Sequence, residues 1–182
     1  MAETFLPPKG NYRKLIAFQK AQCIYDITYY FAHTHLQKGD RTVDQMVQAA
    51  RSGRQNIAEG SAAAATSAET EIKLINVAKA SLKELLEDYE DYLKSRGKAQ
   101  WCKGSIEYEA MRRLGKEHND AAYFMQLIET RPPETIANMA IILLNQADYL
   151  LFKQLDRLST DFVNNGGFSE RMNDLRRKKR GY

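Results

Sequence analysis

The densest charge in the chain is Arg176-Arg177-Lys178-Lys179-Arg180, preceded by Arg171. Five consecutive cations repel one another and do not form a compact element alone, so their chemistry is the neutralisation of an anion such as a nucleic-acid backbone. Each phosphate neutralised adds about 0.7–0.9 to the slope of affinity against salt. Tyr182 offers one ring for base stacking. The alternative reading of the same residues is a solubilising terminus.

A second polar set, Arg51, Arg54, Asn56 and Glu59, lies in the stretch Arg51-Ser52-Gly53-Arg54-Gln55-Asn56-Ile57-Ala58-Glu59-Gly60, where small neighbours permit close packing. Three readings apply. An arginine paired with Glu59 or with a carboxylate of another helix would make a buried network that fixes register and a bend at Gly60. Arg51 or Arg54 could instead contact RNA or a partner, or the set could be an ordinary solvated face. Asn56, Glu59 and Gly60 are the structural part of this motif.

Catalytic chemistry finds little support. His33 and His35 stand two residues apart and diverge on a helix, and His118 is remote from both. The chain has no His-x-x-x-His pair, no Cys-x-x-Cys and no glycine-rich loop between a strand and a helix. Glu84, Glu87, Asp88, Glu90 and Asp91 are interleaved with Lys79, Lys83 and Lys94, the pattern of a solvated helix face with pairs such as Glu90 with Lys94. A carboxylate-bridged metal pair would need Glu-x-x-His on facing helices, which is absent. The expectation is therefore no catalytic, cofactor-binding or metal-ligating residue, no small-molecule substrate and no enzyme.

The elements that position these groups read as helices. Apolar residues from Tyr12 to about Leu36, including Ile16, Cys23, Ile27, Tyr30 and Phe31, repeat at helical spacing, with Asn11 as the expected cap. A second helix spans about Thr42 to Glu59, with Gly53 on its apolar seam and Gly60 at its stop or bend. A glycine there costs about 1 kcal/mol against alanine, which close approach of another helix would offset. Ile72, Ile75, Ala78, Leu82, Leu85, Leu86, Tyr89 and Leu93 form the stripe of a third helix. Thr66 and Glu69 have the capping-box spacing at its start, and Gly97 ends it.

Two short helices follow, about Ser105 to Leu114 (Ile106, Met111 and Leu114 apolar, Gly115 ending it) and Asp120 to Glu129, capped by Asn119. Trp101 is expected to anchor this excursion. Pro132-Pro133 opens the last long helix, whose stripe runs from Ile136 to Phe162 before Asn164-Asn165-Gly166-Gly167. The class is all-α. The fold expected is an up-down-up-down four-helix bundle over residues 1–169, with short extra helices between the third and fourth long ones. An extended arm, residues 1–10, precedes it, and a basic tail, residues 170–182, follows.

The formal net charge of +4 is confined to that tail, where six cations face Glu170 and Asp174, so the other 169 residues sum to zero. Two cysteines, Cys23 and Cys102, argue no disulfide framework and suit a reducing compartment. The N-terminus lacks the pattern of a secretion signal, and the longest apolar run, Met139 to Leu144, is too short to cross a bilayer. A cytoplasmic protein with no membrane partner is expected.

The strings Gly10-Asn11-Tyr12-Arg13-Lys14-Leu15, Asp44-Gln45-Met46-Val47-Gln48-Ala49-Ala50-Arg51-Ser52-Gly53, Asn56-Ile57-Ala58-Glu59-Gly60 and Ser81-Leu82-Lys83-Glu84-Leu85-Leu86 resemble a known family. It comprises bacterial four-helix-bundle proteins related to those encoded in intervening sequences of large-subunit ribosomal RNA genes. The Gly166-Gly167-Phe168-Ser169-Glu170-Arg171 ending is similar to that of the "four helix bundle suffix" branch. Relatives of the family are similar to the accessory protein of diversity-generating retroelements, a basic pentameric barrel that engages nucleic acid and a reverse transcriptase. The resemblance implies a ring-shaped homopentamer and an RNA or RNA–protein partner; the neutral bundle of this chain departs from the basic barrel.

The function expected is that of a non-enzymatic oligomeric helical bundle that binds nucleic acid through Arg171, Arg176, Arg177, Lys178, Lys179 and Arg180, with Arg51 and Arg54 as further contacts. The alternative is a protein-interaction scaffold, a homopentameric ring with no nucleic-acid role.

Overall fold

The computed structural model describes residues 11–165 and, beyond them, Glu170, Asn173, Arg176 and Arg177. The arm 1–10, the Gly166-Gly167 stop and the remaining tail residues lie outside the described residues. Among those described, the chain is all-α: α1 (Ile16–His35), α2 (Arg41–Ala63), α3 (Ala68–Ser95), α4 (Ile106–Glu117), α5 (Ala121–Ile128) and α6 (Pro133–Asn165).

Local chemistry sets each start. Asn11 caps not α1 but a single 3-10 turn, Tyr12–Lys14, accepting from the Arg13 N–H at 3.2 Å. Leu15 is extended, so α1 begins four residues later than expected, and the turn folds against α2. Asp40 caps α2 through the Thr42 N–H at 2.9 Å. The capping box does not form at α3: Ser67 accepts from the Thr70 N–H at 3.1 Å, while the Thr66 hydroxyl donates to the Ala63 carbonyl at the end of α2. Asp120, not Asn119, caps α5.

Glycine behaves in two ways. At Gly97 the backbone is left-handed (φ 61°), and the Gly97 and Lys98 N–H groups return to Lys94 and Leu93, closing α3 as expected. Gly60, expected to stop or bend the second helix, and Gly115, expected to end the fourth, lie buried inside α2 and α4, which continue past them. A β-carbon at Gly60 would meet Ile75 Cδ1 at 3.3 Å, and one at Gly115 would collide with the Gln146 amide, so each glycine admits a neighbouring helix rather than a turn. Gly53 does the same more tightly, since a β-carbon there would lie 2.5 Å from Leu82 Cδ2.

The long helices pack in a closed cycle, α1 against α2, α2 against α3, α3 against α6 and α6 against α1. Lys98 meets Glu134 at 3.2 Å, Lys79 meets Asp148, and Glu71 hydrogen-bonds Gln154, so α3 and α6 run antiparallel. In that register α6 runs past the start of α3 by about two turns, roughly 12 Å. Ile16 of α1 shares a cavity with Tyr149 and Leu150 of α6, which puts the first residues of α1 toward this same end.

One contiguous cluster forms the core, with Tyr89 of α3 at its centre donating to the Thr28 hydroxyl of α1 at 3.0 Å. Burial pushes the Tyr89 phenol far up from its ordinary value. Residues 136–144 of α6 are buried on every side rather than along one stripe. The 96–105 connection lies over them, pinned by Asn138, whose Oδ1 accepts from the Trp101 N–H at 2.7 Å and whose Nδ2 donates to the Ala99 carbonyl at 3.1 Å. Trp101 thus anchors the excursion, and α4 packs on α6 beside it. Two apolar positions expected inside are outside: Ile106 is 86% exposed and Ile16 53%.

Lys20 of α1 is buried, 1% exposed, and donates to the carbonyls of Gly115 and His118 at the end of α4. It satisfies two acceptors that a helix C-terminus leaves open, which ties α4 to α1. By length and composition alone α6 would suit a membrane span, yet 61% of its most apolar window is buried within the fold.

Candidate nucleic-acid interface

The extended Leu15 brings Tyr12 and Arg13 beside α2, where Arg54 faces α1. The Arg54 guanidinium lies over the Tyr25 ring, 4.1 Å from its centroid, and donates to Gln22 Oε1 at 3.1 Å. Gln22 in turn donates to both Asp26 oxygens at 3.0 Å. The amide thus relays the carboxylate to the arginine, and among the described residues no direct ion pair takes up the rest of the guanidinium fork. Arg13 stands 6.0 Å from the centroid of Tyr12, whose ring packs edge-on against Phe18 at 4.8 Å.

Tyr12, Arg13, Phe18, Gln22, Arg54 and Gln55 line a groove of about 480 Å³ that has no carboxylate in its wall. Two guanidiniums, one of them held by an aromatic face, form a site for bidentate phosphate contact, while Gln55 and Tyr12 supply an amide and a ring for sugar or base.

The predicted residues are distributed unevenly. Arg54 is in the groove, whereas Arg51 is exposed and does not line it. Asn56 turns toward α3: its Nδ2 donates to the Ser52 carbonyl at 2.8 Å, and the Ser52 and Ser81 hydroxyls meet at 2.9 Å. Glu59 is exposed and accepts from Gln55 at 3.2 Å. No arginine pairs with it among the described residues. The buried arginine–Glu59 network therefore does not form, because Arg54 is taken by Gln22 and Tyr25 on α1 while Glu59 faces solvent. Arg176 and Arg177 are exposed in helical segments; Arg171, Lys178, Lys179 and Arg180 lie outside the described residues.

The face between α2 and α3 has the opposite character. Asp44, Glu84 and Asp88 line a groove of about 610 Å³. Burial pushes the Asp88 carboxyl up, and Asp91, Glu84 and Glu87 add to the shift. That face repels phosphate. The i, i+4 pair that forms on α3 is Lys83 with Glu87 at 3.7 Å, whereas Glu90 accepts from Gln100.

The histidines are occupied by rings. His33 stacks on Tyr29 at 4.2 Å and His118 on Tyr123 at 3.8 Å, and His35 packs on Phe31 with its basicity lowered by burial. Among the described residues no three histidine, cysteine or acidic side chains converge as a metal site.

Sequence reasoning missed Gln22 and Tyr25 as partners of Arg54, and Arg13 as its neighbour in the groove. The i, i+3 spacing of Gln22 and Tyr25 marks one side of α1, but only the packing of α1 on α2 sets that side opposite Arg54. No known family model matches the chain, and neither does any curated protein or any solved structure.

Proposed function

We propose that this chain is a non-enzymatic, cytoplasmic helical-bundle protein that binds RNA or an RNA–protein complex as an accessory factor. In this reading α1, α2, α3 and α6 make an up-down-up-down four-helix bundle, with α4 and α5 as additions between the third and fourth long helices. The observation that carries the binding role is the Arg13–Arg54 groove: two guanidiniums, that of Arg54 held on the Tyr25 ring, with no carboxylate in the wall. Beyond α6, Arg176 and Arg177 of the basic tail are exposed. The groove positions a phosphate, and the tail supplies affinity that does not depend on base sequence.

Copies of the chain associate, with a homopentameric ring as the expected assembly. Supporting this, Val77 of α3 and Phe152 of α6 are exposed large apolar residues that the α3–α6 register puts within about two turns of each other. Five tails on one ring would multiply the cationic charge available to one RNA. A monomer by light scattering at micromolar concentration would remove the ring.

Fluorescence anisotropy with a structured RNA, at low and at physiological salt, tests the binding role. The full chain is compared with one ending at Gly167 and with the Arg13→Gln, Arg54→Gln double variant. Truncation should weaken binding and flatten its salt slope by about 0.7–0.9 per lost phosphate contact. The double variant should weaken binding by about tenfold, the loss of one or two charge-assisted contacts. If neither the full chain nor the truncated one binds at low salt, the nucleic-acid role fails and the scaffold reading, a ring that presents its surface to another protein, takes its place.

A further inference from the structure

A second cavity, of about 570 Å³, opens between α1, α4 and α6, remote in character from the arginine groove. Lys20, Arg112 and Lys116 line it, and no carboxylate does. Arg112 is paired outward with Glu109 at 2.9 Å, both side chains being about half exposed. The Lys20 ammonium is enclosed, and burial lowers its affinity for a proton. Among the described residues its donors reach the Gly115 and His118 carbonyls and no carboxylate. Ile142 and Leu150 give the cavity an apolar side, and Tyr149, 60% exposed, stands at its rim.

Gln146 adds a directional feature. Its Nε2 donates to the Arg112 carbonyl at 2.8 Å, which fixes the amide's orientation and leaves Oε1 as the acceptor. That oxygen is buried and has no hydrogen-bond partner, and neither has Asn119 Oδ1 in the same wall. Buried acceptors are normally satisfied, so this pair beside the cavity calls for a donor, which a water or a ligand can bring. A buried ammonium held by carbonyls, two exposed cations beside it, two unpartnered acceptors and an apolar wall together describe a small-molecule site.

We propose that this cavity binds a small organic carboxylate with an apolar body and a hydroxyl or amide donor beside the carboxylate. The carboxylate sits among Lys20, Arg112 and Lys116, the donor meets Gln146 Oε1, and the apolar body lies on Ile142 and Leu150.

Three probes that differ by one group each test the assignment by calorimetry on the full chain: 3-phenyllactate, 3-phenylpropanoate, which lacks the hydroxyl, and 3-phenylpropane-1,2-diol, which lacks the carboxylate. Saturable binding is expected for phenyllactate, about tenfold weaker for phenylpropanoate, and none for the diol. Lys20→Met also removes the tie between α1 and α4, so the variants used are Arg112→Gln with Lys116→Gln, at exposed positions, and Gln146→Leu. The first pair should weaken both acids by about tenfold or more. Gln146→Leu should erase the preference for phenyllactate while retaining phenylpropanoate. Failure of every probe to bind at millimolar concentration would overturn the proposal. So would binding that ignores both sets of substitutions, because the ligand would then sit elsewhere.

Discussion

Replacing Gly53 with alanine is a sharp test of how α2 and α3 meet. The added β-carbon would lie 2.5 Å from Leu82 Cδ2 and 2.6 Å from its Cγ, and Leu82 is itself buried. Overpacking of this kind costs about 1–3 kcal/mol, against which alanine gains about 1 kcal/mol in helix propensity. Gly53→Ala alone should therefore destabilise by about 1 kcal/mol. Leu82→Ala removes the colliding atoms and leaves a cavity, at a cost of about 2–5 kcal/mol. In that background the new methyl has room, and Gly53→Ala should stabilise by about 1–2 kcal/mol from propensity plus one buried carbon. The sign of the Gly53 substitution thus reverses, and the coupling is about 2–3 kcal/mol. Urea denaturation followed by circular dichroism, at one fixed protein concentration for all four chains, measures it. A coupling within about 0.5 kcal/mol of zero would refute the close approach of the two helices at this point.

Asn138, 2% exposed, holds the 96–105 connection on α6. Asn138→Ala strands the Trp101 N–H and the Ala99 carbonyl, so a loss of about 2–4 kcal/mol and a red shift of Trp101 fluorescence are expected, the latter read before global unfolding. Cys23 is buried and Cys102 exposed, so a thiol reagent should modify one cysteine in the native chain and both after denaturation. Burial pushes the Cys23 thiol up from 9.0 to about 11. Its folded value is the higher one, so its contribution is fully present below pH 9 and is lost as pH rises toward 11. Cys23→Ala should accordingly flatten the alkaline decline in stability by about 2–3 kcal/mol across that window.

The acidic α2–α3 groove and the basic α1–α2 groove give the molecule two faces of opposite potential, although the bundle sequence is formally neutral. Neutrality of a sum therefore does not exclude a phosphate-binding face, because the field at a surface depends on where the charges stand. The Arg54 contact with Gln22 and Tyr25 is the device that keeps a guanidinium available there. A direct pair with Asp26 would have neutralised it.

The helices and their seams are written locally along the chain. Periodicity at three and four residues placed the stripe of α3, Gly97 stands where a helix must stop, and the tail's charge is local by construction. These properties depend on residues within a turn or two of each other, so a linear string carries them. Tertiary structure alone decided whether Gly60 and Gly115 would break helices or admit neighbours, since the answer depends on Ile75 and Gln146 from other elements. It also decided that Lys20, an ordinary polar position in the α1 pattern, is buried against the open carbonyls of α4, and that residues 136–144 are covered all round. Arg54 found its partners on α1 rather than at Glu59 for the same reason: a side chain's partner is chosen by which helix faces it, and helix propensity and spacing do not encode that choice.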